Sequence, residues 1–297
     1  MDYIKYLEEM RKMLVSLVNE RKVGDGYREK EIQAFFEQHP SALLGVITGI
    51  PSNENIFNNV IISQPRIKSM DGDRQPDFLI VTYNSSQIYF NFIELEDPSK
   101  KIYQIGVRQT PTAEFQHSIN QLKQWGSFLN NEIERYCVSI IESLFKDSYD
   151  NALGKYRFYN YILLYGFSDE IRQLSSEHNS LLEEYFKDKN YHHCTYSRLI
   201  DSFRPARYPL FSVKKNSTTN RFKAIGFTPF TNYTTELWYS FHNIEEKQEI
   251  VSTCNWLTAE EKSKLSDQMT ILDSKPLSNF KTGLITIKNW GDIELSW

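Results

Sequence analysis

QIYFNFIELEDPSKK, residues 87–101, decides how the rest of the chain is read. Ile88, Tyr89, Phe90, Phe92 and Ile93 are β-branched or aromatic and suit a pleated, buried surface. The run then ends in Glu94, Glu96 and Asp97, three acids within four positions. An ionised carboxylate is costly to bury unless something pairs with it. Either these acids form a solvated strand end, with Asp97 and Pro98 opening a turn, or they converge on a cation.

Working outward, DFLIVTY (77–83) is a second strand pattern, and NSS separates it from the first. A tight antiparallel hairpin is expected. With Ser85 and Ser86 as its loop, Asn84 faces Gln87, and residues whose numbers add to 171 stand opposite each other. Asp77 then faces Glu94. Opposed residues share a face, roughly 5 Å apart. Glu96, two positions on, lies on that face as well. A slip of one residue would turn Asp77 to the other side.

Carboxylates this close repel, and persist together when one takes a proton or when a cation sits between them. Oxygen ligands suit Mg²⁺ or Mn²⁺. Such an ion polarises a phosphate oxygen and lowers the pKa of a bound water. The expected chemistry is metal-assisted phosphodiester hydrolysis, with Asp77, Glu94 and Glu96 as the metal set.

The flanks read as an α/β chain. Residues 1–22 carry Ile4, Leu7, Leu14, Leu17 and Val18 near a 3.6 period. This helix either docks on its own domain, the ordinary outcome, or pairs with another chain. A second helix is expected over 28–40, with Ile32, Phe35 and Phe36 inward and Pro40 closing it. A strand is expected over 58–67 and a polar loop over 68–76. TAEFQHSINQLKQWGSFLNN (112–131) is an amphipathic helix, with Phe115, Ile119, Leu122 and Leu129 on one side and Glu114, His117 and Gln121 on another. A buried strand over 157–167, a helix over 169–187, and a short strand then helix over 192–203 complete the run. LTAEEK (257–262) holds a T-x-x-E capping box that starts a late helix.

The 297 residues, 40% apolar and 14% aromatic, describe a globular protein with a proper core. Cys137, Cys194 and Cys254 lie far apart with no CxxC pair, which argues against a zinc knuckle and fits a reducing compartment. No apolar run approaches the ~18 residues of a membrane span, and the first residues lack a signal-peptide core. A cytoplasmic protein is expected. A net charge of −4 argues against general nucleic-acid affinity, but not against a local patch. The stretch 197–223 is such a patch. Arg198, Arg204, Arg207, Lys214, Lys215, Arg221 and Lys223 stand against Asp201 alone, interleaved with Phe203, Tyr208, Phe211 and Phe222. It either grips phosphates and stacks bases or is a solvated, turn-rich linker.

Pro76–Asp77, a hairpin, then E-x-E at 94–96 resembles the PD-(D/E)XK nuclease motif. IELEDPSKKIY followed by PTAEFQHSINQLKQW, and the later CTYSRLIDSF, resemble the Shedu anti-phage defence nucleases over about residues 28–205. The resemblance implies a restriction-endonuclease-like core, a mixed sheet flanked by helices, over 26–205. An N-terminal helix (1–25) would precede it. A C-terminal α+β accessory region (206–297) would serve recognition, regulation or assembly.

The resemblance also implies a homo-oligomer that hydrolyses phage or plasmid DNA with low sequence specificity. It makes Asp77 the main metal ligand and Glu94 the second, and turns Gln121 toward the site as in a Q-x-x-x-Y helix that here ends in Trp125. Glu31 matches the acid of the first core helix. One departure stands out: Glu96 occupies the position of the motif lysine. Either Glu96 is a general base or third ligand, or Lys100, Lys101 or Lys123 supplies the cation, or the chain is a non-catalytic module that binds or senses nucleic acid or a phage component. Arg204, Arg207, Lys214, Lys215 and Lys123 are the candidates for gripping DNA.

Overall fold

The computed structural model describes residues 3–19, 27–50, 60–68, 72–83, 86–104, 110–127, 130–145, 155–174, 176–203, 206, 210–219, 221–228 and 244–273. Helix α1 (Tyr3–Asn19) leads into α2 (Tyr27–Gln38) and the short α3 (Pro40–Leu43). Pro40 both ends α2 and opens α3, where its missing amide hydrogen is not needed. Strand β1 (Val60–Ser63) precedes β2 (Phe78–Tyr83) and β3 (Gln87–Leu95).

The hairpin adopts the expected register. Pairing runs from Tyr83–Ile88 down to Phe78–Ile93. From Ile88 on, β3 is buried at every position. A strand covered on both faces reads as a near-continuous apolar run rather than an alternation. This is why 88–93 is so rich in aromatics and isoleucine.

Next come α4 (Ala113–Ser127), α5 (Asn130–Ile140), β4 (Tyr156–Leu164), α6 (Ser168–Arg172), α7 (Ser176–Tyr185), β5 (Tyr191–Cys194) and α8 (Tyr196–Asp201). No element had been expected over 132–156, and α5 fills part of that gap. The single helix expected over 169–187 is two. β4 runs parallel to β3 and β5 parallel to β4. Rings stack across these strands in the pairs Phe90–Tyr159, Phe92–Tyr161 and Tyr161–Tyr191. Each such pair adds ~0.5–1.5 kcal/mol beyond its buried area.

The basic stretch 204–223 is not a turn-rich linker where it is described. It contains β6 (Leu210–Lys215) and the start of β7 (Phe222–Thr228). Phe211 and Phe222 are core residues rather than surface rings able to stack on bases. The lysines mask this by clustering at the solvent end of β6, where Lys214 and Lys215 are exposed. Arg204, Arg207 and Tyr208 lie outside the described residues.

β8 (Ile244–Glu245), α9 (Lys247–Thr253) and α10 (Ala259–Asp273) follow. Thr258 and Glu261 form the expected reciprocal cap. The Glu261 amide donates to the Thr258 hydroxyl at 3.2 Å, and the Glu261 carboxylate accepts from the Thr258 amide at 2.8 Å.

Among the described residues, the strands make one mixed sheet in the order β5-β4-β3-β2-β1-β6-β7-β8. β6 pairs parallel with β1, so the sheet continues across position 206, where an accessory region had been expected to begin. α1 packs on the same body. The Arg11 guanidinium donates to the Ile200 carbonyl at 2.9 and 3.1 Å, and the buried Tyr6 hydroxyl meets Thr228 of β7 at 2.8 Å.

Candidate active site

The candidate site stands at the end of the hairpin. Asp77 lies one residue before β2, held through its backbone. Its amide donates to the Ile93 carbonyl at 3.1 Å, and its carbonyl accepts the Gln64 amide at 2.7 Å. Its Oδ2 accepts the Leu95 amide at 2.7 Å, capping β3 next to the acids.

Glu94 and Glu96 share the strand face on which α4 packs. The Gln121 amide donates to Glu94 Oε1, and the Ser118 hydroxyl donates to Glu96 Oε1. Ser118 and Gln121 are three apart, neighbours on one helix face. The second oxygen of Glu96 takes the Lys100 ammonium. The local sequence explains that reach. The Asp97 carboxylate accepts the Ser99 amide at 2.7 Å, and the Asp97 carbonyl accepts the Lys100 amide at 3.0 Å. The DPSK turn therefore folds back and returns Lys100 to Glu96. The Tyr196 hydroxyl ties the Glu96 carbonyl at 2.6 Å.

Electrostatics set two of these acids apart. Burial, reinforced by the charges of Glu29, Glu96 and Glu37, pushes Asp77 up to about 7, against the pull of the Leu95 amide. Burial, then Asp77, Glu96 and Glu29, holds Glu94 well above the usual carboxylate range, with Lys100 opposing. Glu94 Oε2 is buried and has no hydrogen-bond partner. Lys100 is held above its ordinary value: burial works against its charge, but the bond and charge of Glu96 outweigh it.

A small divalent cation fits the Asp77–Glu94 pair, since it would satisfy the unpartnered oxygen and relieve the repulsion. Among the described residues no three His, Cys, Asp or Glu side chains form a ready ligand set. Mg²⁺ commonly uses only one or two carboxylates and keeps its waters. The expected third ligand, Glu96, already accepts from Lys100 on one oxygen and from Ser118 on the other.

The acid that α2 brings to this cluster is Glu29 rather than Glu31. Its charge raises both Asp77 and Glu94, and its own carboxyl is raised by burial and then by Glu96. The stripe is visible in the sequence: Glu29 precedes the fully buried Ile32 and Phe36 by three and seven residues. Glu31 is two positions further along, about 200° round the helix. Ser118 also escaped the sequence reading, though it lies one turn before Gln121.

Other singled-out residues scatter. Lys101 pairs with Glu170 at 3.2 Å, and Lys123 sits over the Tyr185 ring at 5.6 Å. Lys214 donates to the Gln64 side-chain carbonyl, and the backbone amide of the same residue donates to the Asp77 backbone carbonyl. His193 is structural. It bonds the Tyr165 carbonyl at 2.9 Å, and burial lowers its pKa to about 4.

Fold and site together define an α/β protein whose central hairpin ends in an acidic pair, Glu94 buried and Asp77 half-buried, backed by a helix glutamine and a lysine–glutamate bridge. A family model described as Shedu protein SduA, C-terminal, matches residues 26–200. That is more than half of the chain, and it takes in every residue of the site from Glu29 to Tyr196. The chain belongs to the Shedu family of anti-phage defence proteins. None of the curated proteins compared with it matches.

Proposed function

We propose that this chain is a divalent-metal-dependent nuclease of anti-phage defence that hydrolyses DNA phosphodiester bonds. The observation that carries the reading is Glu94 Oε2, buried without a partner beside Asp77, on the hairpin where the PD-(D/E)XK resemblance puts two metal ligands. Mg²⁺ or Mn²⁺ held there would neutralise the pair and polarise a phosphate oxygen.

The chain's own residues do the rest. Asp77 and Glu94 hold the cation. Gln121 keeps Glu94 in one orientation through its amide. Lys100, reaching the site from the DPSK turn, takes the place of the motif lysine, and its ammonium stabilises charge that develops on the phosphate. Glu96, which stands where the motif lysine would be, positions Lys100 rather than acting as base. Lys214 offers a phosphate contact beside the Asp77 loop. The protein acts on DNA in the cytoplasm as a homo-oligomer.

The test is nicking of supercoiled plasmid in Mg²⁺ or Mn²⁺. Wild type should cut and Asp77→Asn should not. Gln121→Ala, which removes a partner of a metal ligand, should lose ~10–100-fold in rate. The second reading, a non-catalytic nucleic-acid binding module, is favoured by Glu96 in the lysine position. DNA binding without cleavage in either metal would support it against the enzyme.

A further inference from the structure

A cavity of about 290 Å³ adjoins the acidic pair. One wall is the loop carrying Arg74 and Gln75, immediately before Pro76 and Asp77. The other is the face of α4 carrying Asn120, Gln121 and Gln124, with Trp125 beneath. Gln121 belongs to both places: it lines the cavity and donates to Glu94. The cavity therefore opens within one side chain of the proposed cleavage centre.

Its lining is rich in carboxamides. Gln75 and Asn120, on opposite walls, each present a donor and an acceptor side by side. Paired donor and acceptor groups match a base edge, and Asn or Gln makes bidentate contacts there. A pocket built for phosphate would be lined by lysine and arginine, whereas here Arg74 and His117 share the lining with Asp73, which pairs with Arg66 at 2.5 Å. The volume is at the low end of ligand pockets, ~300–1,000 Å³, and no double helix enters a space of that size. A base reaches such a pocket only after leaving the stack.

We propose that this cavity receives one unpaired nucleobase of the nucleotide beside the scissile phosphate, so that the preferred substrate is single-stranded, frayed or distorted DNA rather than intact duplex. The position of that phosphate rests on the nuclease reading; the recognition of the base does not.

The test measures binding by the full chain in chelator, without divalent metal, so that cleavage plays no part. Labelled single strands, and single strands carrying 2-aminopurine, are compared with the same sequences as duplex. Single strands should bind about tenfold or more tightly than duplex, and 2-aminopurine emission should change on binding. The double variant Gln75→Ala with Asn120→Ala, at two exposed positions on opposite walls, should lose about tenfold in single-strand affinity. Its salt dependence should match wild type, because no charge is removed. Equal affinity for single strand and duplex, or a double variant that binds as wild type with the same 2-aminopurine response, would overturn the proposal. Metal-dependent nicking without these signals sinks the cavity alone. The signals without nicking sink the nuclease reading and leave the cavity.

Discussion

Asp77 and Glu94 show how one side chain's environment reports on its task. The carboxyl of Asp77 has its pKa near 7 in the fold, against an ordinary value near 3.9. Below about pH 4 both folded and unfolded chains are protonated there, and the group carries no penalty. As pH rises from about 4 to 7, the unfolded chain has released the proton and the fold still holds it. Stability then falls by at most ~1.4 kcal/mol per pH unit, and the full penalty remains above 7. Asp77→Asn keeps an acceptor for the Leu95 amide while removing the charge. In chelator it should melt several degrees higher than wild type at pH 8 and gain much less at pH 5. Mg²⁺ or Mn²⁺ should raise the melting temperature of wild type and leave Asp77→Asn unmoved. Equal melting of the two proteins at pH 8 would contradict this account of the pair.

At the scale of elements, the site exists because three of them close on the hairpin end. α4 supplies Ser118 and Gln121, the DPSK turn supplies Lys100, and α2 supplies Glu29. α2 reaches its place by lying on β6 and β7. The Ser212 hydroxyl donates to the Glu37 carbonyl, and Gly226 leaves room for the same carbonyl, which an added Cβ would meet head-on. Gly226→Ala should therefore push α2 off the sheet and cost ~1–3 kcal/mol. Denaturant unfolding should show a lower midpoint with an unchanged slope. Lys100→Met would test the turn. A buried Glu96 stripped of its cation costs ~3–5 kcal/mol if it stays ionised, so the variant should be destabilised and Lys100→Met/Glu96→Gln should recover much of the loss.

At the scale of the whole molecule, one sheet links segments from both halves of the chain. β1 lies between β2 and β6, and its residues Val60, Ile61 and Ile62 pair with Phe211, Ser212 and Val213. A chain cut after residue 205 would leave β1 as an open, apolar edge and uncover α2 and α3 where they rest on β7. Such a fragment should be insoluble or lack a cooperative melt. A soluble 1–205 fragment with a single sharp transition would show that the nuclease-like portion folds without β6 and β7.

How much could be read in advance follows from how far apart the interacting residues are in sequence. The hairpin register, the apolar face of α4 and the Thr258–Glu261 cap depend on fixed local offsets, so period and spacing alone determined them. Gln121 was placed in the site through family likeness, and a hydrogen bond to Glu94 is what the fold makes of it. The pairing of Lys100 with Glu96, the choice of Glu29 over Glu31, and the parallel docking of β6 on β1 were decided only by tertiary structure. Parallel pairing has no tight turn to announce it, and a helix acid meets a strand acid only through packing that no local offset encodes. Burial then gave the acids their character: the same carboxylates on a solvated strand end would be ordinary surface charges, and beneath α4 their charged forms are disfavoured.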